Sequence, residues 1–187
     1  MKSFIKTVSN TVLPYTFSYR LRQLYRQQFG RLKHDPSEQD IVIYEIQPQV
    51  LIKVYWKILP IGKGPALELI VSGDHILRFD CFGEDDGHYH IFSGYEYPDR
   101  DRIYFPEKTV AEQINRTIFE LNHNLSCFLQ LHRSRDIRNL KIDAVALKSI
   151  CEQARQQMLY YLLTVPQFDD LRIPNSQNSE PLPLKTA

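Results

Sequence analysis

The sequence predicts an α+β fold: an antiparallel β-meander of five or six strands packed with a C-terminal helical hairpin and preceded by a basic helical arm. Three observations predict it. Between Ile41 and Phe105, β-branched and aromatic residues come in short runs of period 2, separated by Gly, Pro and Asp. From Thr109 onward the apolar spacing changes to that of an amphipathic helix. No GxGxxG or GxxxxGK[ST] occurs, and strands do not alternate with helices, which excludes a doubly wound fold.

The chain divides into a basic, partly helical arm over 1–34, a single α+β domain over 41–165 and a polar, proline-punctuated tail over 166–187 that reads as disordered. A length of 187 residues suits one well-buried core. The composition, 43 % apolar and 24 % charged, is that of an ordinary globular protein. Cys81, Cys127 and Cys151 form no CxxC unit and cannot all pair within one chain, which argues against a disulfide scaffold or a zinc ribbon. No apolar run reaches the roughly 18 residues that suggest a membrane-spanning helix.

The 23 Lys and Arg against 22 Asp and Glu conceal a segmented charge distribution. Residues 1–34 carry seven Lys or Arg and no acid, whereas residues 84–101 carry Glu84, Asp85, Asp86, Glu96, Asp99 and Asp101 against Arg100 alone. The arm lacks the apolar core of a secretory signal, so the expected location is cytoplasmic, although its composition also fits a transit peptide. Within it, Phe17, Leu21, Leu24 and Tyr25 share a helical face, with Ser18 as a cap and Gly30 as a stop. Packing on its own domain or on a twin subunit is one use of the arm. Contact of Arg20, Arg22, Arg26 and Arg31 with RNA or an anionic membrane is the other.

Each strand has its own signal. The runs IVIYEI from Ile41 and VLIKVYWKIL from Val50 are β-rich, with Lys53 and Lys57 spaced for one wetter face. Pro60, Gly62, Gly64 and Pro65 mark a turn, ALELIV follows, and Gly73-Asp74 marks a second turn or bulge. HILRFDCF and HYHIF then form a hairpin about the acidic loop, and RIYF ends the sheet before Pro106.

If Gly83–Gly87 form that loop, Phe82 faces His88, Asp80 faces His90 and Arg78 faces Phe92. Alternation then puts Arg78, Asp80, Phe82, His88, His90 and Phe92 on one face, and Leu77, Phe79, Cys81, Tyr89 and Ile91 on the core face. The polar face supports three uses. His88 and His90 point the same way, so with Asp80, and His75 to complete the set, they can ligate zinc, iron or manganese. Without metal, a histidine and Asp80 can exchange protons while Arg78 meets developing phosphate charge, as in a small nuclease. The third use is a structural polar network.

In the helical half, Thr109 and Glu112 form a capping box for a helix through about His132, with Val110, Ile114, Thr117, Ile118, Leu121, Leu125, Phe128 and Leu129 as its apolar stripe. Cys127 reads as core filling. Arg133, Arg135 and Arg138 fall in a charged connection, and Asp143 caps a second helix through about Leu163. The two helices cover the sheet or close a homodimer.

The stretches LRFDCF at 77–82, HYHIF at 88–92 and RIYFP, followed by an amphipathic helix, resemble a family of small, uncharacterised bacterial domains, with a cyanobacterial texture, over about residues 65–130. More loosely, Arg78, Phe79, Asp80, His88 and His90 are similar to the Arg-aromatic-Asp strand and following histidines of the TumE-like toxins. This chain lacks their proline- and histidine-rich continuation and adds long C-terminal helices. The leading expectation is a non-enzymatic regulatory or protein-interaction domain with a protein partner and no cofactor. The alternatives are a small metal-independent ribonuclease using Arg78, Asp80, His88 and His90, and a domain that binds a divalent metal through the HxH strand.

Overall fold

The computed structural model describes residues 37–59, 62–94 and 102–164. The basic arm with Arg20, Arg22, Arg26 and Arg31, and the tail over 166–187, lie outside the described residues. Six strands, β1 (Glu38–Gln47), β2 (Val50–Leu59), β3 (Gly62–Val71), β4 (Asp74–Asp80), β5 (His88–Ile91) and β6 (Ile103–Tyr104), pair in strict chain order in one antiparallel sheet. The helices α1 (Val110–His123), α2 (Leu125–Gln130), α3 (Arg135–Arg138) and α4 (Ala144–Thr164) follow. The α+β meander with a C-terminal helical region is therefore the fold.

Turn chemistry fixes the first hairpins. Pro48-Gln49 joins β1 to β2 with Gln49 at φ 70°, and Ser72-Gly73 joins β3 to β4 with φ 52° and 81°. Two successive positive φ values make a type I′ turn, whose twist matches that of the strands it joins. The turns also bind one another, Ser72 N–H donating to the Gln49 carbonyl at 2.7 Å and Ser72 Oγ lying 2.8 Å from Gln49 Oε1.

One sheet face is apolar. Val50, Ile52, Val54, Trp56, Leu67, Leu69, Leu77 and Phe79 join Ile114, Leu121, Leu147, Met158 and Tyr161 from the helices in a single core. The capping box is present: Thr109 Oγ1 accepts from Glu112 N–H, and Glu112 Oε2 accepts from Thr109 N–H. Asp143 Oδ1 accepts from Val145 and Ala146 N–H at the start of α4. Two ties fasten α4 and its lead-in to the edge strand β1: Tyr161 Oη donates to the Asp40 carbonyl, and the Gln47 side chain bridges Lys141 O and Asp143 N. No helix among the described residues is long and apolar enough to cross a membrane.

Three expectations change. The first helix does not run on to His132: the chain offsets at Asn124 (φ −112°), whose side-chain amide donates to Glu120 Oε2. That offset points Leu125, Phe128 and Leu129 inward, and it leaves Cys127 exposed instead of filling the core. The charged connection contains the short helix α3, closed by Arg138 Nη1 donating to the carbonyls of His132 and Arg133. The hairpin register is shifted, with Asp80 opposite His88 and Arg78 opposite His90. Cys81 stays on the β3 ladder, donating to the Pro65 carbonyl, so the connection between β4 and β5 begins before Gly83. The displacement is two residues, which preserves every side chain's face.

Candidate metal centre

The sheet face opposite the apolar one carries two neighbouring rows of side chains. One runs Lys53, Glu68, Arg78, His90 across β2–β5, and the other runs Tyr55, Ala66, Asp80, His88, Tyr104 across β2–β6. Period-2 alternation puts them on one face, and antiparallel pairing sets charges of opposite sign side by side. Lys53 and Lys57, expected on a wetter face, are only 4 % and 5 % exposed. Their burial is sustained by carboxylates: Lys53 Nζ meets Glu38 at 2.5 Å and Glu68 at 3.6 Å, and Lys57 Nζ meets Asp80 Oδ1 at 3.3 Å. Unpaired, each ammonium would carry a large desolvation penalty.

Asp80, His88 and His90 converge. All three are buried, and their ligand atoms lie within 4.8 Å of one another. Asp80 Oδ2 is 3.5 Å from His88 Nε2, 3.9 Å from His90 Nε2 and 3.2 Å from Arg78 Nε. Burial, followed by repulsion from Arg78, holds His90 down at about 4, and burial is also the main cause that lowers His88. Both imidazoles are therefore neutral at pH 7.

The proton on neutral His88 can be located. Its Nδ1 lies 2.6 Å from the Asp86 carbonyl, which can only accept, so Nδ1 carries the hydrogen. Nε2 then turns a bare lone pair toward a carboxylate oxygen. A histidine that gives one N–H to a backbone carbonyl and offers the other nitrogen is arranged as metal-ligating histidines are. His90 has no hydrogen-bond partner among the described residues on either ring nitrogen. One atom able to ligate a metal from each of Asp80, His88 and His90 thus lies within 4.8 Å of the other two.

Each expected site residue has a place. Arg78, Asp80, His88 and His90 come together as the hairpin implies, with Arg78 the most exposed of the four and its guanidinium 5.6 Å from the Phe92 ring centroid. His75 stands apart from the three-residue group: a bulge between Leu69 and Ile70 shifts the pairing there, and its Nδ1 lies 3.3 Å from Glu68 Oε2. Burial would raise the Glu68 carboxyl, but the His75 hydrogen bond and the charges of His75, Lys53 and Arg78 outweigh it, leaving Glu68 at about 2. Sequence reasoning put Lys53 and Lys57 on one wetter face but missed their burial, and it missed Glu38 and Glu68 as their neighbours. The available signal was charged residues at matching parity in adjacent β-rich runs.

No family model, curated protein or solved structure matches the chain. The reading of the site therefore rests on its own chemistry.

Proposed function

We propose that this chain is a metal-binding domain in which Asp80, His88 and His90 hold one divalent transition-metal ion of the zinc class. The observation that carries the reading is the fixed His88 tautomer, whose Nε2 lone pair faces Asp80 Oδ2 with a neutral, unpartnered His90 beside it. Two imidazole nitrogens and one carboxylate oxygen suit zinc, iron or manganese, and one coordination position is left to a non-protein donor. The ion would cross-link the end of β4 to β5, a strand of only four residues followed by one of two. Such a cross-link fits a non-enzymatic regulatory or protein-interaction role. The free thiols of Cys81, Cys127 and Cys151 fit a reducing cytoplasm, and the resemblance noted above fits a bacterial source. A metal-free ribonuclease is less well supported, because a phosphodiester would have to reach imidazoles that are 2 % and 1 % exposed.

The test is zinc uptake by the full-length chain, read by elemental analysis and by thermal unfolding of the single tryptophan, Trp56. Wild type should retain one ion per chain and unfold at a higher temperature with zinc than with a chelator. H90A should retain none while folding without metal, and H90C, which restores a ligand, should recover binding. A wild-type protein that takes up no stoichiometric metal, or an H90A variant that binds as wild type does, would overturn the proposal. RNA cleavage by metal-free wild type, lost in H88A, would establish the nuclease instead.

A further inference from the structure

The polar sheet face sets Lys53, Lys57 and Arg78 against Glu38, Glu68 and Asp80, equal numbers of each sign. All six are buried except Arg78, whose side chain is 21 % exposed. The balance is unevenly laid out. Lys53 lies between two carboxylates, Glu38 at 2.5 Å and Glu68 at 3.6 Å. Asp80 instead serves two cations, Lys57 on Oδ1 at 3.3 Å and Arg78 on Oδ2 at 3.2 Å. The metal centre therefore sits at the cation-rich end of the face.

Hydrogen-bond donors are in surplus at that end. Among the described residues Arg78 donates only through Nε, which leaves its Nη groups unspent. The Lys57 ammonium makes one hydrogen bond, to Asp80, of the several it can donate. Tyr55 Oη, in the row of Asp80 with only Ala66 between them, is buried with no hydrogen-bond partner. Buried donors normally find acceptors, and both oxygens of Asp80 are already engaged.

A divalent ion would tip the charge balance. His88 and His90 are neutral ligands, so the ion's two positive charges would join those of Lys57 and Arg78 around one carboxylate. Charge of one sign in a buried site is costly unless a counter-charge enters with it. Hydroxide in the open coordination position would supply one negative charge. A dianion supplies two and returns the face to neutrality. Phosphate groups carry close to two negative charges near neutral pH. Their oxygens can bind a metal ion and accept from a guanidinium fork at the same time.

We propose that the site takes its metal ion together with a phosphate group, which fills the open coordination position and is held by Arg78 and Lys57. This rests on the metal-binding reading above. The ligand is a phosphate dianion, free or as the end of a monoester, and it enters from the side of Arg78, the exposed member of the set.

Zinc affinity of the full-length chain, measured by competition with a chromophoric chelator, tests the pairing in inorganic phosphate, in glycerol phosphate and in nitrate at matched ionic strength. In at least one of the phosphate media wild type should hold zinc about tenfold more tightly than in nitrate, although phosphate also competes for free zinc. A larger gain with inorganic phosphate assigns the site to the free ion, and a larger gain with the ester assigns it to a phosphorylated molecule. By linkage, zinc should tighten phosphate binding by the same factor in calorimetry. R78Q leaves all three ligands in place and should still bind one zinc ion but lose the gain. With one positive charge fewer, it should also hold zinc more tightly than wild type in nitrate. Equal zinc affinity of wild type in all three media would overturn the phosphate proposal while leaving the metal centre standing. Absence of zinc uptake in every medium would overturn both. An R78Q variant with the full wild-type gain would overturn the role of Arg78.

Discussion

Asp80 meets two cations, Lys57 at 3.3 Å and Arg78 at 3.2 Å, and has the Nε2 atoms of His88 and His90 within 3.9 Å. Removing it leaves Lys57 and Arg78 without their carboxylate. D80A should therefore cost about 3–5 kcal/mol in denaturant unfolding followed by Trp56 fluorescence. H90A removes a ring that makes no hydrogen bond in the metal-free fold and should cost clearly less; equal losses would mean that Asp80 does not anchor the cations. His132 gives a separate titration. It is buried, its Nδ1 accepts from Ser134 N–H at 3.0 Å, and burial together with Arg138 holds it down at about 4 against an ordinary 6.5. Between those values the unfolded chain binds the proton and the folded chain does not, so stability rises with pH across that window. Its contribution is complete above about 6.5 and is lost as pH falls toward 4, on the order of 3 kcal/mol at 1.36 kcal/mol per pH unit. H132N should make that acid limb shallower in unfolding measured at pH 4 and pH 7 without abolishing it, because His90 titrates over the same window; an unchanged slope would show that His132 contributes nothing to it. The co-facial set Arg78, Asp80, His88 and His90 was legible in the sequence because parity survives a register error of two. The partners Lys57 and Glu68 were not, because a lysine alternating with apolar residues in a strand reads as solvated until the facing carboxylate is known.

Elements were legible where local chemistry decides them. Thr109 with Glu112, and Asp143 ahead of α4, announce helix starts through hydrogen bonds made within four residues. T109A should lower stability by about 1 kcal/mol, measured by thermal melting of the helical circular dichroism signal. Where distant packing decides, the sequence was silent. Asn124 bends the first helical stretch so that three apolar side chains reach the sheet, and no short-range signal marks Cys127 as the residue left outside. The register of the β4–β5 hairpin was hidden for a related reason: Cys81 remains paired with β3. The same closeness makes Gly64 irreplaceable, since a Cβ there would stand 2.2 Å from the Cys81 carbonyl oxygen and 3.1 Å from the Phe82 ring. G64A should force β3 away from the end of β4 and destabilise the protein by about 3 kcal/mol. A variant as stable as wild type would show that this end of the sheet is free to move.

At the scale of the molecule, each strand pairs only with its sequence neighbours, whereas the sheet's first strand is bound by its last helix, Tyr161 to Asp40 across 121 residues. The two kinds of contact divide the work of folding. Hairpins close over short loops, and α4 must arrive last to cover them. A chain cut after Asp143 should keep strand signal by circular dichroism yet bind hydrophobic dye and lose protection of Trp56 from acrylamide quenching; a compact, dye-free fragment would show the sheet to be self-sufficient. The consequence reaches protein synthesis. At the about 5–20 residues per second of translation, the 60 residues from Tyr104 to Thr164 take roughly 3–12 s to appear. During that interval any sheet already formed would lack the cover that α4 gives its apolar face. The ribosome would thus hold an adhesive intermediate for seconds, and the final turns of α4 end its exposure to chaperones and to neighbouring nascent chains.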